Sequence, residues 1–152
     1  RTKDVLNPAV MTKVSARWMG GLMRSFAAGV IAAAAAYLIN LVIIEKAGNK
    51  GMVSFIPIVE EILKTVTAFC LGASVINAHS VFGAIEAGYE IREANSVRGV
   101  LGGISSFAAH GLLGVVTAAV WKLTNSLLLG IGASAMLHSI WNRAITGAYT
   151  RN

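Results

Sequence analysis

The chain has 152 residues, 55% of them hydrophobic and only 13% charged, with a mean hydropathy of +0.66. Soluble domains carry about 25% charged residues, so the composition argues against a water-soluble globule. Sixteen glycines against two prolines, with long stretches free of Asp, Glu, Lys and Arg, fit packed transmembrane helices rather than a collagen-like or disordered chain. At about 20 residues per crossing plus short loops, this length suits one all-α, polytopic bundle of about five spans.

The 13 Lys and Arg against seven Asp and Glu give a net charge of +6, and most basic residues lie near expected helix ends. That placement fits anionic headgroups of a lipid bilayer. No basic patch is interleaved with aromatic residues, so no nucleic-acid partner is expected. The single cysteine, Cys70, excludes an intramolecular disulfide and a cysteine metal cluster, and reads as a small buried hydrophobe. The chain begins at Arg1 rather than Met, so it reads as a trimmed or partial sequence.

Residues 1–17 form a basic, possible interfacial segment, set apart from a helical domain over 18–152. Asn7-Pro8 is a helix start, with Asn at the cap and Pro at the first helical position. Val10, Val14, Trp18 and Leu22 recur at four-residue spacing, which suits either an interfacial amphipathic helix or a plain extension of the first span. Ser25 to Ile44 carries no charge and predicts one crossing, ended by Glu45, Lys46 and the Gly48-Asn49 turn. A second helix is predicted from Met52 to about Ile76, then a turn at Asn77 to Ser80 with a solvated His79, then a third helix carrying Glu86 and Glu90. Gly99 to Trp121 and Leu123 to Asn142 predict the fourth and fifth. Gly99 and Gly103 form a GxxxG pair. The basic residues Arg1, Lys3, Lys13 and Arg17 favour a cytoplasmic N-terminus.

Depth along these helices gives the strongest inference. Glu60, Glu61, Glu86, His110 and His138 all fall at similar depth on four expected helices. A charged side chain there costs roughly 2.5–3.5 kcal/mol on insertion scales, so these groups are expected to pair around one site. The first helix, with its Ala32 to Ala36 run and no buried charge, is expected to pack outside it. Glu60 and Lys64 are spaced i,i+4, Glu61 and Lys64 i,i+3, so the lysine can neutralise either carboxylate. Adjacent carboxylates in a low dielectric divide their roles, one serving as general base while its neighbour stays ionised. The residues alone leave open which is which. His138 and Asn142 are again i,i+4, with Trp141 beside them, so the amide can orient the imidazole.

These segments resemble the PrsW-type glutamic intramembrane proteases. Glu60-Glu61-Ile62-Leu63-Lys64 is similar to EExxK, Phe82 to Glu86 to FxxxE, His110 to a lone intramembrane histidine, and His138 to Asn142 to the closing HxxxN motif. The wider group includes the Ras-converting CAAX endoproteases, whose EExxxR and FxxxH motifs fit less well, and a noncatalytic subunit of gamma-secretase. Family members carry additional helices. The resemblance implies a multi-pass protein of a prokaryotic cell membrane that cleaves a membrane-tethered protein, such as an anti-sigma factor. It further implies Glu60 as the water-activating base, Glu61 and Glu86 as its supporting acids, and His110, His138 and Asn142 as binders of the carbonyl oxygen.

No cofactor and no metal are expected. HExxH and GxSxG are both absent, and Lys64 opposes a divalent cation beside the first carboxylates. The rival readings are a metal-dependent intramembrane protease, a proton-coupled transporter, a noncatalytic scaffold, and a haem carrier with His110 and His138 as axial ligands.

Overall fold

The computed structural model describes residues 8–94 and 96–149, and it is all-α, with no strand among the described residues. Five helices follow in chain order: α1 (Pro8–Lys50), α2 (Ile56–Cys70), α3 (Val75–Ala94), α4 (Val97–Thr124) and α5 (Leu127–Tyr149), with a π-helical turn at Gly51–Phe55 between the first two. Two of them, over Arg17–Gly48 and Gly99–Thr124, are long and apolar enough to cross a membrane. By contrast α2 has 15 residues, short of the roughly 20 that a perpendicular crossing needs.

The first helix is continuous from Pro8, so the four-residue pattern ending at Leu22 belongs to an extension of α1 and not to a separate interfacial helix. Asn7 and the side chains of Val10, Lys13 and Val14 lie outside the described residues. At the far end, Gly48 takes φ 52° and breaks the helical path before the π turn. This bears out the turn signal read at Gly48-Asn49.

The helix after it is shorter than predicted, and the expected turn at Asn77 to Ser80 is displaced. It lies over residues 71–74, where Gly72 adopts φ 57° and the Ala73 amide bonds back to the Ala68 carbonyl at 2.8 Å. Ser74 then caps α3 by accepting from the Asn77 amide at 3.3 Å. The polar cluster that suggested a turn is therefore the first turn and a half of a helix, and His79 is buried rather than solvated. Cys70, at the C-terminus of α2, is exposed, not buried as the sequence suggested.

Packing uses small residues wherever helices approach closely. On α1 the buried positions Ala28, Ala32 and Ala36 recur every four residues and face Ala68 and Ala78 or Phe82. The GxxxG pair sits where α4 meets the end of α3. A Cβ on Gly99 would approach Ala94 Cβ to 2.5 Å, and one on Gly103 would approach Ile91 Cγ1 to 2.7 Å and the Ala87 carbonyl to 2.8 Å. α2 touches α1, α3 and α5, while α4 lies between α3 and α5.

The distribution of polarity is inverted relative to a soluble domain. The largest fully buried side chains include Lys64, His79, Glu61, Thr65 and Thr117. Large apolar side chains such as Ile62 and Phe69 on α2, Leu112 on α4 and Leu128 and Met136 on α5 point outward.

Two glycines test the packing. Gly103→Ala is expected to lower stability by about 1–3 kcal/mol, because the new methyl meets the Ala87 carbonyl as well as the Ile91 side chain, and the backbone oxygen cannot turn aside. Gly88→Ala meets nothing within 4 Å and should raise it by about 0.5–1 kcal/mol through backbone entropy. Thermal unfolding of both variants in detergent micelles reads the difference, and equal midpoints would contradict the α3–α4 packing.

Candidate functional site

The inward faces of the helices place their polar residues by simple periodicity. On α2, Glu60, Glu61, Lys64 and Thr65 are buried; on α3, His79, Phe82 and Gly83; on α4, Ser106 and His110; on α5, Ser134 and His138. Spacings of three and four put each set on one face. The structure brings Glu60, Glu61, Glu86, His110 and His138 into one connected network with Lys64.

Lys64 is the centre. Its ammonium, fully buried, donates to Glu61 Oε1 at 2.5 Å and to His110 Nδ1 at 2.9 Å, and it lies 4.5 Å from the centroid of the Phe82 ring. Because an ammonium can only donate, His110 Nδ1 is the acceptor and the ring proton is on Nε2. That Nε2–H points at Glu86 Oε2, forming a short contact, and the Ser106 hydroxyl donates to the same oxygen at 3.0 Å. Lysine, histidine and glutamate thus form one directed chain from the interior toward Glu86, whose side chain is about a third exposed (34%).

A second branch leaves Glu61. His138 Nδ1 donates to Glu61 Oε1 at 3.1 Å, an assignment that makes Nε2 an acceptor when the ring carries a single proton. This Nε2 faces Glu60 Oε2 at 3.9 Å. The other oxygen of Glu60 is taken by the Asn40 amide, which donates to Oε1 at 2.8 Å, whereas Glu60 Oε2 is buried without a hydrogen-bond partner. With a singly protonated ring, two acceptors face one another across a gap too wide for a direct hydrogen bond, with Lys64 bound to the neighbouring carboxylate.

Of the two carboxylates that spacing left open to Lys64, the hydrogen bond goes to Glu61. Other sequence expectations change here. Asn142 does not join the network: its Nδ2 donates to the Met52 carbonyl at 3.4 Å, tying α5 to the π turn, because the i+4 step beyond His138 carries it past the cluster to the end of α2. Both nitrogens of His110 are engaged by Lys64 and Glu86, so it presents no free donor for a carbonyl oxygen. Glu90 is partly exposed near the end of α3, as its position one turn beyond Glu86 suggested. The haem reading fails on geometry, since the His110 and His138 rings meet edge to face with centroids 5.0 Å apart and leave no slot for a macrocycle.

Asn40 and His79 escaped the sequence reading, as did the hydroxyls of Thr65 and Ser106. Asn40 lies on α1, which therefore contributes to the site instead of packing outside it. The signal was its place as the fourth member of the series Ala28, Ala32, Ala36, Asn40. His79 lies one turn before Phe82 on the buried face of α3 and was hidden by the polar residues around it.

Glu60, His110 and His138 each offer one ligand atom, and these three atoms lie within 4.8 Å of one another, as a zinc-class ion would require. The fit is partial. Glu60 Oε2 is unpartnered, but His110 is already bound on both nitrogens and Lys64 stands 2.9 Å from one of them. An apolar groove of about 310 Å³ also runs between Val42 to Ala47 of α1 and Phe55 to Val59 of α2, and no network residue lines it. Comparison of the chain with protein-family models, with curated proteins and with solved structures finds no match.

The network predicts its own energetics. Lys64→Met leaves the Glu61 carboxylate buried without its cation and should cost about 3–5 kcal/mol. Adding Glu61→Leu should recover part of that loss, because no charge then remains unpaired. Denaturant unfolding of both variants measures the coupling; a single-variant loss below about 1 kcal/mol would place the pair in water.

Proposed function

We propose that this chain is a membrane-embedded, glutamic-type endopeptidase, a multi-pass bundle that hydrolyses a peptide bond of a membrane-tethered protein. The observation that carries the reading is Glu60 Oε2, buried without a hydrogen-bond partner, with His138 Nε2 standing 3.9 Å away inside the bundle. A water that donates one hydrogen to each satisfies both, and such a water is oriented beside a carboxylate base. The outward apolar residues on α2, α4 and α5 suit lipid contact, with the bilayer thinned beside the short α2. The PrsW-type resemblance of the four motifs agrees with the same assignment.

In this mechanism Glu60 takes a proton from the water as its oxygen bonds to the peptide carbonyl carbon. Asn40 holds the opposite oxygen of Glu60, so Oε2 is the one turned to the water. His138, fixed by its Nδ1–H bond to Glu61, keeps Nε2 as an acceptor and orients the nucleophile. The Lys64 cation places positive potential beside the carbonyl oxygen as charge develops there. The carbon–nitrogen bond then breaks, and Glu60 returns its proton to the leaving amine, closing the cycle with one water consumed.

The convergence of Glu60, His110 and His138 supports a second reading, a metal-dependent hydrolase of the same substrate class. In that case the ion would supply Lewis-acid activation of water. The two readings share Glu60 and His138 and divide on the ion.

Co-expression with a tagged library of single-pass membrane proteins tests the assignment. The wild type is expected to shorten at least one of them, and Glu60→Gln to lower turnover by about 10²–10⁴-fold with an unchanged unfolding midpoint. Equal processing by both would remove Glu60 as base, and loss of folded protein would make it a structural residue. For the ion, the expected result is full cleavage after treatment with a strong chelator; stoichiometric zinc whose removal stops cleavage and whose return restores it would establish the metal-dependent mechanism instead.

A further inference from the structure

The unexplained feature of the network is His79. It is fully buried on α3, its Nε2 lies 3.2 Å from Thr65 Oγ1, and its Nδ1 faces Glu61 Oε2 at 3.6 Å. Neither of those two facing atoms has a hydrogen-bond partner, although both are shut off from solvent. The two possible tautomers differ sharply in cost. With the proton on Nε2, the Nδ1 lone pair would oppose the lone pairs of a carboxylate oxygen in a dry interior. With the proton on Nδ1, that N–H points at Glu61 Oε2, and the Thr65 hydroxyl donates to Nε2. Only the second arrangement gives every atom a complement.

The backbone holds the ring in that place. Gly114 of α4 has no side chain where a Cβ would lie 2.8 Å from His79 Cβ and 3.1 Å from its Cγ, so the helix presses directly on the imidazole. Glu61 is then gripped from three sides: Lys64 and His138 on Oε1, His79 on Oε2. A carboxylate so held cannot rotate, and it fixes the His138 tautomer that turns Nε2 toward Glu60.

We propose that His79 is a positioning residue, which clamps Glu61 through its Nδ1–H under the orientation of Thr65 and thereby aims His138 at the reacting water. This deepens the endopeptidase reading and rests on it for its catalytic consequence, while the clamp itself is a matter of geometry. An orienting group behind a catalytic imidazole, or behind its partner, acts through tautomer and direction.

The test has two arms on the full chain in lipid bilayers. In the first, the chain is labelled with ¹⁵N-histidine, and the His79 signals are identified by their loss in His79→Asn. The proton is expected on Nδ1, with Glu61→Gln moving the Nδ1 resonance and Thr65→Val the Nε2 resonance. A proton on Nε2 in the wild type overturns the clamp. In the second arm, a processed library substrate is cleaved by His79→Asn, whose amide nitrogen stands near the position of Nδ1, and by His79→Gln, whose amide stands near that of Nε2. The Gln variant should lose about 10–100-fold in kcat with unchanged KM, and the Asn variant should recover most of it. Equal losses that track a lowered unfolding midpoint would make His79 purely structural and overturn the positioning role. A wild type that cleaves nothing would remove the endopeptidase reading and with it the catalytic half of the proposal, while the ¹⁵N spectrum still decides the clamp.

Discussion

A lysine ammonium without solvent exposure imposes a strict condition on everything around it. Desolvating such an ion costs several kcal/mol even after relaxation, and its three hydrogens each seek an acceptor or a π face. Lys64 finds Glu61 on its own helix, His110 on α4 and the face of Phe82 on α3. Because it can only donate, it dictates the direction of the hydrogen bonds beyond it: His110 must accept on one nitrogen and donate from the other to Glu86. Glu61, with one oxygen on Lys64, is left to receive His138 from α5. One cation thus sets the register of four helices, and Asn40 brings in the remaining one through Glu60.

The close approach this requires is made by paired omissions of side chains. Gly83 of α3 lies where a Cβ would come within 2.7 Å of His110 Cβ, and Gly114 of α4 where one would come within 2.8 Å of His79 Cβ. Each of the two helices offers a glycine to the histidine of the other. Such packing lets two bulky polar rings sit at a helix contact that small residues would otherwise occupy alone, and it limits the rings to one orientation. With many large apolar side chains on the exterior and polar ones within, close packing and satisfied polar groups give the bundle its fold specificity.

Within this network nearly every donor has a direction, and the exceptions are informative. Glu60 Oε2 and Glu61 Oε2 are both acceptors without a hydrogen-bond partner. The first faces His138 and suits a water or an ion; the second faces His79 Nδ1 of the same chain at 3.6 Å. On the proposed endopeptidase reading such a division is what a base needs, one face unsatisfied while its supports stay rigid.

Much of this was legible in the chain itself. Charge-free runs gave the long helices, and the level at which Glu60, Glu61, Glu86, His110 and His138 recur announced their meeting, since isolated polar groups at that depth would each be costly. The GxxxG contact followed from glycine spacing. What depended on neighbours was not legible. The turn after α2 is set by the positive φ of Gly72 and the Ser74 cap, and local polarity at Asn77 to Ser80 misplaced it, carrying His79 from a buried helix face to a solvated loop. Asn40 sits in an otherwise apolar helix, and only the packing of α1 against α2 gives its amide a carboxylate. Periodicity fixes which residues share a face of one helix. Which of two adjacent carboxylates receives the lysine, and which is left with an open oxygen, is decided by rotamers and helix contacts a few ångströms across, and these exist only in the folded bundle.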